Sequence, residues 1–423
     1  MRVLVIGKGG REHAILWALK KSPRVKQLYC APGNAGIAAL AECVPIQEHE
    51  FEKISRFALE TAIDLVVVGP EDPLSDGIVD YLEERNIPVF GPRQNAAVIE
   101  SSKVFTKELL RKYNIPTAAY ETFERYEDAL AYVRKQGAPI VIKADGLAAG
   151  KGVVVAQTLE EAEQALEEIM VKKVFGKTGD RVVVEEYLQG QELSILSFVD
   201  GNVVRPMLPA QDHKPVFDGD KGPNTGGMGT YSPLPHFPQS IIDEAVEKII
   251  RPTAEAMAKE GRPFRGVLFA GLMATKNGVK TIEFNARFGD PETQVVLPLL
   301  ETDLADIFLA AIEGRLEEIE IRWSQDAAVC VVLASGGYPG SYPKGIPIYG
   351  LDEVRDSVVF HAGTAEKDGQ IVTNGGRVLG VTARGATIEE ARAKAYADIE
   401  RIRFEGMQYR KDIALKALKD LVL

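Results

Sequence analysis

The chain has 423 residues, 45% of them hydrophobic and 26% charged, a globular composition spread over a length that calls for about two to four domains. Its formal net charge of -11 argues against a nucleic-acid partner, since binding a polyanion rests on clustered Lys and Arg; small anionic ligands held by local cations stay open. Three cysteines, Cys30, Cys43 and Cys330, form no CxxC pair, and neither a signal-peptide pattern nor a membrane-length apolar run occurs, so we expect a cytoplasmic protein with no structural zinc, no disulfide framework and no membrane partner.

Residues 2–6, Arg-Val-Leu-Val-Ile, read as a strand that enters Gly7-Lys8-Gly9-Gly10, with a helix over 12–20 behind it. Strand, glycine turn and helix form the opening unit of a parallel α/β sheet. A second strand ends near Cys30 before Ala31-Pro32-Gly33-Asn34-Ala35-Gly36, and a third, 64–68, precedes Gly69-Pro70-Glu71-Asp72-Pro73. Loops at the carboxyl ends of parallel strands form the ligand crevice, so these three should converge. The turn Gly7–Gly10 lacks the GxGxxG spacing of a dinucleotide fingerprint, because position 12 is Glu.

Beyond Gly91-Pro92-Arg93 the pattern predicts one helix over 95–113, a second over 126–135, and paired β runs at 139–143 and 152–156. Thr158 and Glu161 have the spacing of a capping box, with Ala162, Leu166 and Ile169 at helical intervals. Further strands are predicted at 181–185, 193–199, 266–274 and 280–285, then at 328–334 and 378–383, with a helix from Thr387 opened by a second Thr-x-x-Glu box.

The turn between the β runs, Gly146 to Gly152, is not a Walker P-loop. Its glycines are separated by three residues, Lys151 is followed by Gly152 instead of Ser or Thr, and no helix follows. It reads either as a flap that folds over phosphates with backbone N–H groups, through Gly150, Lys151 and Gly152, or as a plain tight hairpin. Lys143 ends the strand beside it and Lys103 lies upstream; two ammonium groups at a sheet edge suit a polyphosphate. The apolar run ending in Glu185-Glu186-Tyr187-Leu188, with Glu192 beyond, suits an adenine edge and ribose hydroxyls. In Thr281-Ile282-Glu283-Phe284-Asn285 the two-residue period sends Glu283 and Asn285 to one face, a credible pair of oxygen ligands for Mg²⁺, and Ile282 and Phe284 to the core. The charged loop from Arg287 to Gln294 reads as a binding loop.

These motifs, in this order, resemble the ATP-grasp ligases. Gly9-Gly10-Arg11-Glu12-His13-Ala14, the loop at Asn34, Lys143 to Gly152, Gln211-Asp212-His213-Lys214, Gly222 to Gly229 and Arg287 to Gln294 narrow the resemblance, over nearly the whole chain, to the glycinamide ribonucleotide synthetase family. The resemblance implies an ATP-dependent ligase of purine biosynthesis that joins 5-phosphoribosylamine to glycine through glycyl phosphate, forming ADP and phosphate, with Mg²⁺ or Mn²⁺. It implies ATP held by Lys103, Lys143, Gly150, Lys151, Gly152, Glu185, Glu186, Tyr187, Leu188 and Glu192, and metal held by Glu283 and Asn285. It places phosphoribosylamine at Gly9, Gly10, Arg11, Asn34 and Glu71, and glycine around Asp212, Lys214, Thr225, Gly226, Gly227, Met228, Arg287, Asp290, Pro291 and Glu292. Arg287, Lys143 and Asp212 are the implied catalytic groups, although Asp212 and Glu292 can equally serve as structural loop carboxylates.

Taken together, the expected architecture is multidomain α/β and α+β. A Rossmann-like parallel-sheet domain spans 1–102. An ATP-grasp domain spans 103–326, with a mobile flap subdomain at about 117–190. A small α/β domain spans 327–423, and a monomer is expected.

Overall fold

Strands Glu42–Cys43, Gln27–Pro32, Arg2–Gly7, Leu65–Val68 and Val89–Phe90 lie side by side in that order, all parallel. Val3, Leu4, Val5 and Ile6 are fully buried, as a parallel sheet covered on both faces requires. The order reverses between Arg2–Gly7 and Leu65–Val68. The glycine turn after the first and Gly69–Glu71 after the other therefore meet at the switch point where such sheets bind ligands. The computed structural model describes residues 1–147, 152–201 and 203–419.

One helix was expected over 95–113; two are present, Gln94–Ser101 and Lys103–Lys112. Ser102 turns into an extended conformation between them, and its hydroxyl accepts the Phe105 N–H at 3.1 Å, so it caps the second helix. This break carries Glu100 on one helix and Lys103 and Lys107 on the other toward the same cleft.

Three larger antiparallel sheets follow, with two two-stranded ones beside them among the described residues. The flap sheet runs Tyr120–Phe123, Val182–Glu186, Ile140–Ala144, Val153–Ala156, and its last two strands form the expected hairpin. The central sheet runs Val203–Pro206, Gln191–Asp200, Arg265–Thr275, Gly278–Asn285. The third joins Gln211–Asp212 and Gly229–Ser232, from the middle of the chain, to Ala327–Ala334, Arg377–Gly385 and Ser357–His361. Both predicted Thr caps form: Thr158 and Thr387 accept the N–H of Glu161 and Glu390, each at 3.2 Å. Phe198, Phe288 and Phe308 are buried together, and Phe90 stacks on Phe308 with ring centroids 4.2 Å apart, tying the parallel sheet to the central one. No helix among the described residues is long and apolar enough to cross a membrane.

Candidate active site

The cleft is built around the end of Gly278–Asn285. Phe284 is buried in the core, while Glu283 and Asn285 lie on the half-buried side. The expectation for Ile282 needs correction. Pairing with the neighbouring strand skips it, Thr281 standing opposite Leu272 and Glu283 opposite Gly271, so Ile282 is the extra residue of a bulge and is only half-buried. The bulge frees the Ile282 carbonyl to accept from Lys143 Nζ at 3.0 Å.

Lys143 also sits 2.9 Å from Glu185 Oε1, and Lys107 sits 2.9 Å from Glu185 Oε2. Lys103 donates to the Gly146 carbonyl at 2.8 Å, at the base of the flap turn. Burial disfavours the charged Glu283, but Lys214, Lys143, Lys103 and Arg287 outweigh it and hold the carboxylate below its ordinary range. An ionised carboxylate thus stands amid four cations.

Opposite lies a second cluster. Lys214 contacts Glu192 Oε2 at 3.1 Å, and Glu192, with Asp212 and Glu283, raises the ammonium well above its usual value against burial. Burial, and then the neighbouring Asp212, push Glu292 up to about 8; Asp212 is itself raised by burial. Each carboxyl thus raises the other's tendency to hold its proton, because burial and a like charge both disfavour ionisation. His213 is fully buried, whereas its neighbours Asp212 and Lys214 are half-buried. Its Nδ1 lies 3.2 Å from the Gly229 carbonyl, and burial lowers the imidazole to about 3, so it is neutral.

Arg287 is fixed by two carboxylates, Glu71 Oε2 at 3.2 Å and Glu100 Oε1 at 3.0 Å. Glu100 Oε2 accepts the Ala286 N–H at 2.7 Å, so one side chain grips consecutive residues of the strand exit. Against burial, Arg287 and Arg11 keep Glu71 at about 2.

At the switch point, Glu12 accepts the Gly9 N–H at 2.7 Å and lies where a side chain at Gly69 would have to go, a Cβ there coming within 2.0 Å of its Oε1. Arg11 bonds to Glu12 and to the Phe288 carbonyl, with Glu71 at 3.7 Å. It is a bracket between loops, not a free cation. Asn34 is likewise spent on the scaffold: its amide donates to the Lys8 and His361 carbonyls and accepts from Gly36 and Ile37. Met228 is fully buried against Val216 and Ala334, so its side chain does not reach the cleft. Gly227 has φ +119 and packs on Pro291, which joins the Thr225–Met228 loop to the Arg287–Glu292 loop. Glu186 is exposed, bonded to the Ala119 N–H and Lys280, and Tyr187 and Leu188 continue from it along the outer edge. Gly150 and Lys151 lie outside the described residues; Gly152 pairs through its carbonyl with the Ala144 N–H at 2.8 Å.

The sequence matches the phosphoribosylglycinamide synthetase N domain over residues 1–100, the ATP-grasp (A) domain over 101–293 and the C domain over 328–416. The chain belongs to the phosphoribosylglycinamide synthetase family. It is 54% identical over 414 residues to the phosphoribosylamine–glycine ligase of Caldanaerobacter subterraneus subsp. tengcongensis, covering 98% of this chain and 99% of that one. It is 52% identical over 421 residues to the enzyme of the same name from Halalkalibacterium halodurans, with 99% and 98% covered. The crystal structure of Thermotoga maritima phosphoribosylamine–glycine ligase superposes with a TM-score of 0.86 at 37% identity, covering 98% of this chain and all of that one. The biotin carboxylase domain of Hydrogenobacter thermophilus 2-oxoglutarate carboxylase, solved with MgADP, shares the fold at a TM-score of 0.74 and 16% identity, over 96% and 91% of the two chains.

Within this member of the family, sequence reasoning missed three groups that shape the cleft. Glu100 and Lys107 flank Lys103 in sequence, three and four residues away, and that proximity to a residue already singled out was the only signal for them. Arg377 comes from the far C-terminal part, after Gly375-Gly376. Its Nη1 donates to the carbonyls of Gly226 at 2.8 Å and Asp290 at 2.9 Å, holding both loops at once.

Proposed function

We propose that the chain joins 5-phosphoribosylamine to glycine, converting ATP to ADP and phosphate in purine biosynthesis, and that the reaction passes through glycyl phosphate. The carrying observation is the ring of Lys103, Lys143, Lys214 and Arg287 around Glu283. Two anions, the glycine carboxylate and the γ-phosphate, have to meet in the first step, and a fixed set of cations lowers that barrier without reorganising during reaction.

In this reading Lys103 and Lys143 bind the phosphates, and the Glu185–Leu188 edge with Glu192 holds the nucleoside. Arg287, locked by Glu71 and Glu100, stabilises the charge of the transferring phosphoryl group. Lys214, Asp212, the Thr225–Gly227 backbone, Asp290, Pro291 and Glu292 hold glycine. Phosphoribosylamine lies along the Gly9–Gly10 turn and Glu71, in a cradle whose loops the Arg11 and Asn34 side chains brace, and the Glu71 carboxylate suits its amine and hydroxyls. The flap over 146–152 closes to keep water from the acyl phosphate. The ribosyl amine then attacks the acyl carbon and phosphate leaves, so no enzyme nucleophile is required.

Glu283 and Asn285 fit a divalent ion. One is held ionised, both are half-exposed oxygen donors, and no group of three or more His, Cys, Asp or Glu forms a full protein cage among the described residues. Such a pair suits Mg²⁺ or Mn²⁺ carried largely by nucleotide phosphates. The ion's contribution when bound is to neutralise phosphate charge. The division at 102/103 and 326/327 is likewise proposed, with the protein acting as a monomer.

The test of the intermediate is oxygen transfer. Glycine labelled with ¹⁸O in its carboxylate should deliver one labelled oxygen to the phosphate released; unlabelled phosphate would refute the glycyl phosphate route.

A further inference from the structure

Glu185 is the only anion paired with two buried lysines among the described residues of the cleft. Lys143 and Lys107 approach its two oxygens at 2.9 Å each, and all three side chains are 4–5% exposed. Lys107 is further pinned by the Thr117 hydroxyl at 2.7 Å, and Thr117 in turn donates to the Thr281 carbonyl at 2.9 Å, on the strand that carries Glu283. With one lysine, the Glu185 pair would be neutral, and a phosphate drawing Lys143 away would leave a buried carboxylate without a partner. With two, the triad keeps one surplus positive charge, and Glu185 stays compensated while Lys143 turns toward a phosphate.

We propose that Lys107 is a positioning residue for the nucleotide: it neutralises Glu185 and thereby frees Lys143 to bind the ATP phosphates. The inference rests on the ATP reading of this cleft. It assigns Lys107 no contact with ATP, only with the groups behind Lys143. Burial, opposed by Glu185 and assisted by Lys143, lowers the Lys107 ammonium to about 8; Glu186 and the Tyr120 ring, 5.5 Å away, are its other neighbours. The surplus charge therefore fades as pH rises through that value.

The experiment is calorimetric titration of the full-length protein with Mg-ATP, for wild type, Lys107→Met and Lys107→Arg, at about pH 7 and about pH 9. Lys107→Met should weaken binding about tenfold or more at the lower pH, on the scale of removing one member of a buried charge pair. Lys107→Arg, which stays charged throughout, should bind like wild type at pH 7 and lose less affinity at pH 9. Wild-type affinity in Lys107→Met overturns the inference while leaving the ATP reading in place. Failure of the wild type to bind Mg-ATP overturns that reading and the inference with it. Should Lys107→Met not fold, Lys107→Arg decides: a pH dependence identical to wild type overturns the inference.

Discussion

Replacing Glu100 with Gln should stabilise the protein at alkaline pH while impairing it as a catalyst. The carboxyl is buried between the Ala286 N–H and Arg287, with Glu71 and Glu283 nearby, and burial raises it from 4.5 to about 7 even though Arg287 opposes the shift. For an acid whose folded value lies above its unfolded one, the favourable contribution is complete below the unfolded value and is lost as pH rises through the folded one. At about 1.4 kcal/mol per pH unit, the gap between the unfolded and folded values of Glu100 costs about 3 kcal/mol by pH 8.5 and about 1.4 kcal/mol at pH 5.5. Gln keeps the shape and can still accept from Ala286, so the variant escapes this cost. Guanidinium unfolding of both proteins across pH should show the variant's advantage growing by about 2 kcal/mol over that range. At the same time kcat should fall about tenfold, because Arg287 loses the charge that sets its orientation. Stability curves that run parallel with pH would refute the reasoning.

Other substitutions separate the roles. Lys143→Ala and Glu283→Ala should each lower kcat by about a thousandfold or more with an unchanged circular dichroism spectrum, and near-normal turnover in either would remove that residue from the mechanism. Gly226→Ala brings a methyl within 2.9 Å of the Arg377 guanidinium carbon; KM for glycine should rise about tenfold while KM for ATP holds, read from initial rates. Phe308→Ala, in the aromatic stack between the two sheets, should cost about 3–5 kcal/mol in denaturant unfolding with little change in KM.

How much of this was legible depended on distance along the chain. The opening strands of the parallel sheet and the flap hairpin are local patterns, and Arg2–Gly7, Gln27–Pro32, Leu65–Val68, Ile140–Ala144 and Val153–Ala156 fall within a residue or two of expectation; the two-residue edge strand Glu42–Cys43 was not expected, being too short to show a pattern. Pairing of Gly229–Ser232 with Ala327–Ala334 joins segments about a hundred residues apart, and nothing in either strand's own pattern names its partner. Glu283 and Asn285 were readable because two-residue alternation holds there; Ile282 was misread because a bulge breaks that period one residue earlier. Arg11, Asn34 and Met228 stand in the motifs that drew attention to them, yet the structure spends their side chains on bracing or packing. A motif marks where a loop has to keep its shape as readily as where it touches a ligand. Lys107 shows the reverse, since its importance comes from a carboxylate 78 residues later that helical spacing alone does not reveal.

The central claim is tested most directly by following ADP release from Mg-ATP with glycine, with and without phosphoribosylamine generated in the assay. The account predicts release that requires both substrates and is matched one for one by glycinamide ribonucleotide. ATP binding without ADP release when all three substrates are present would contradict it.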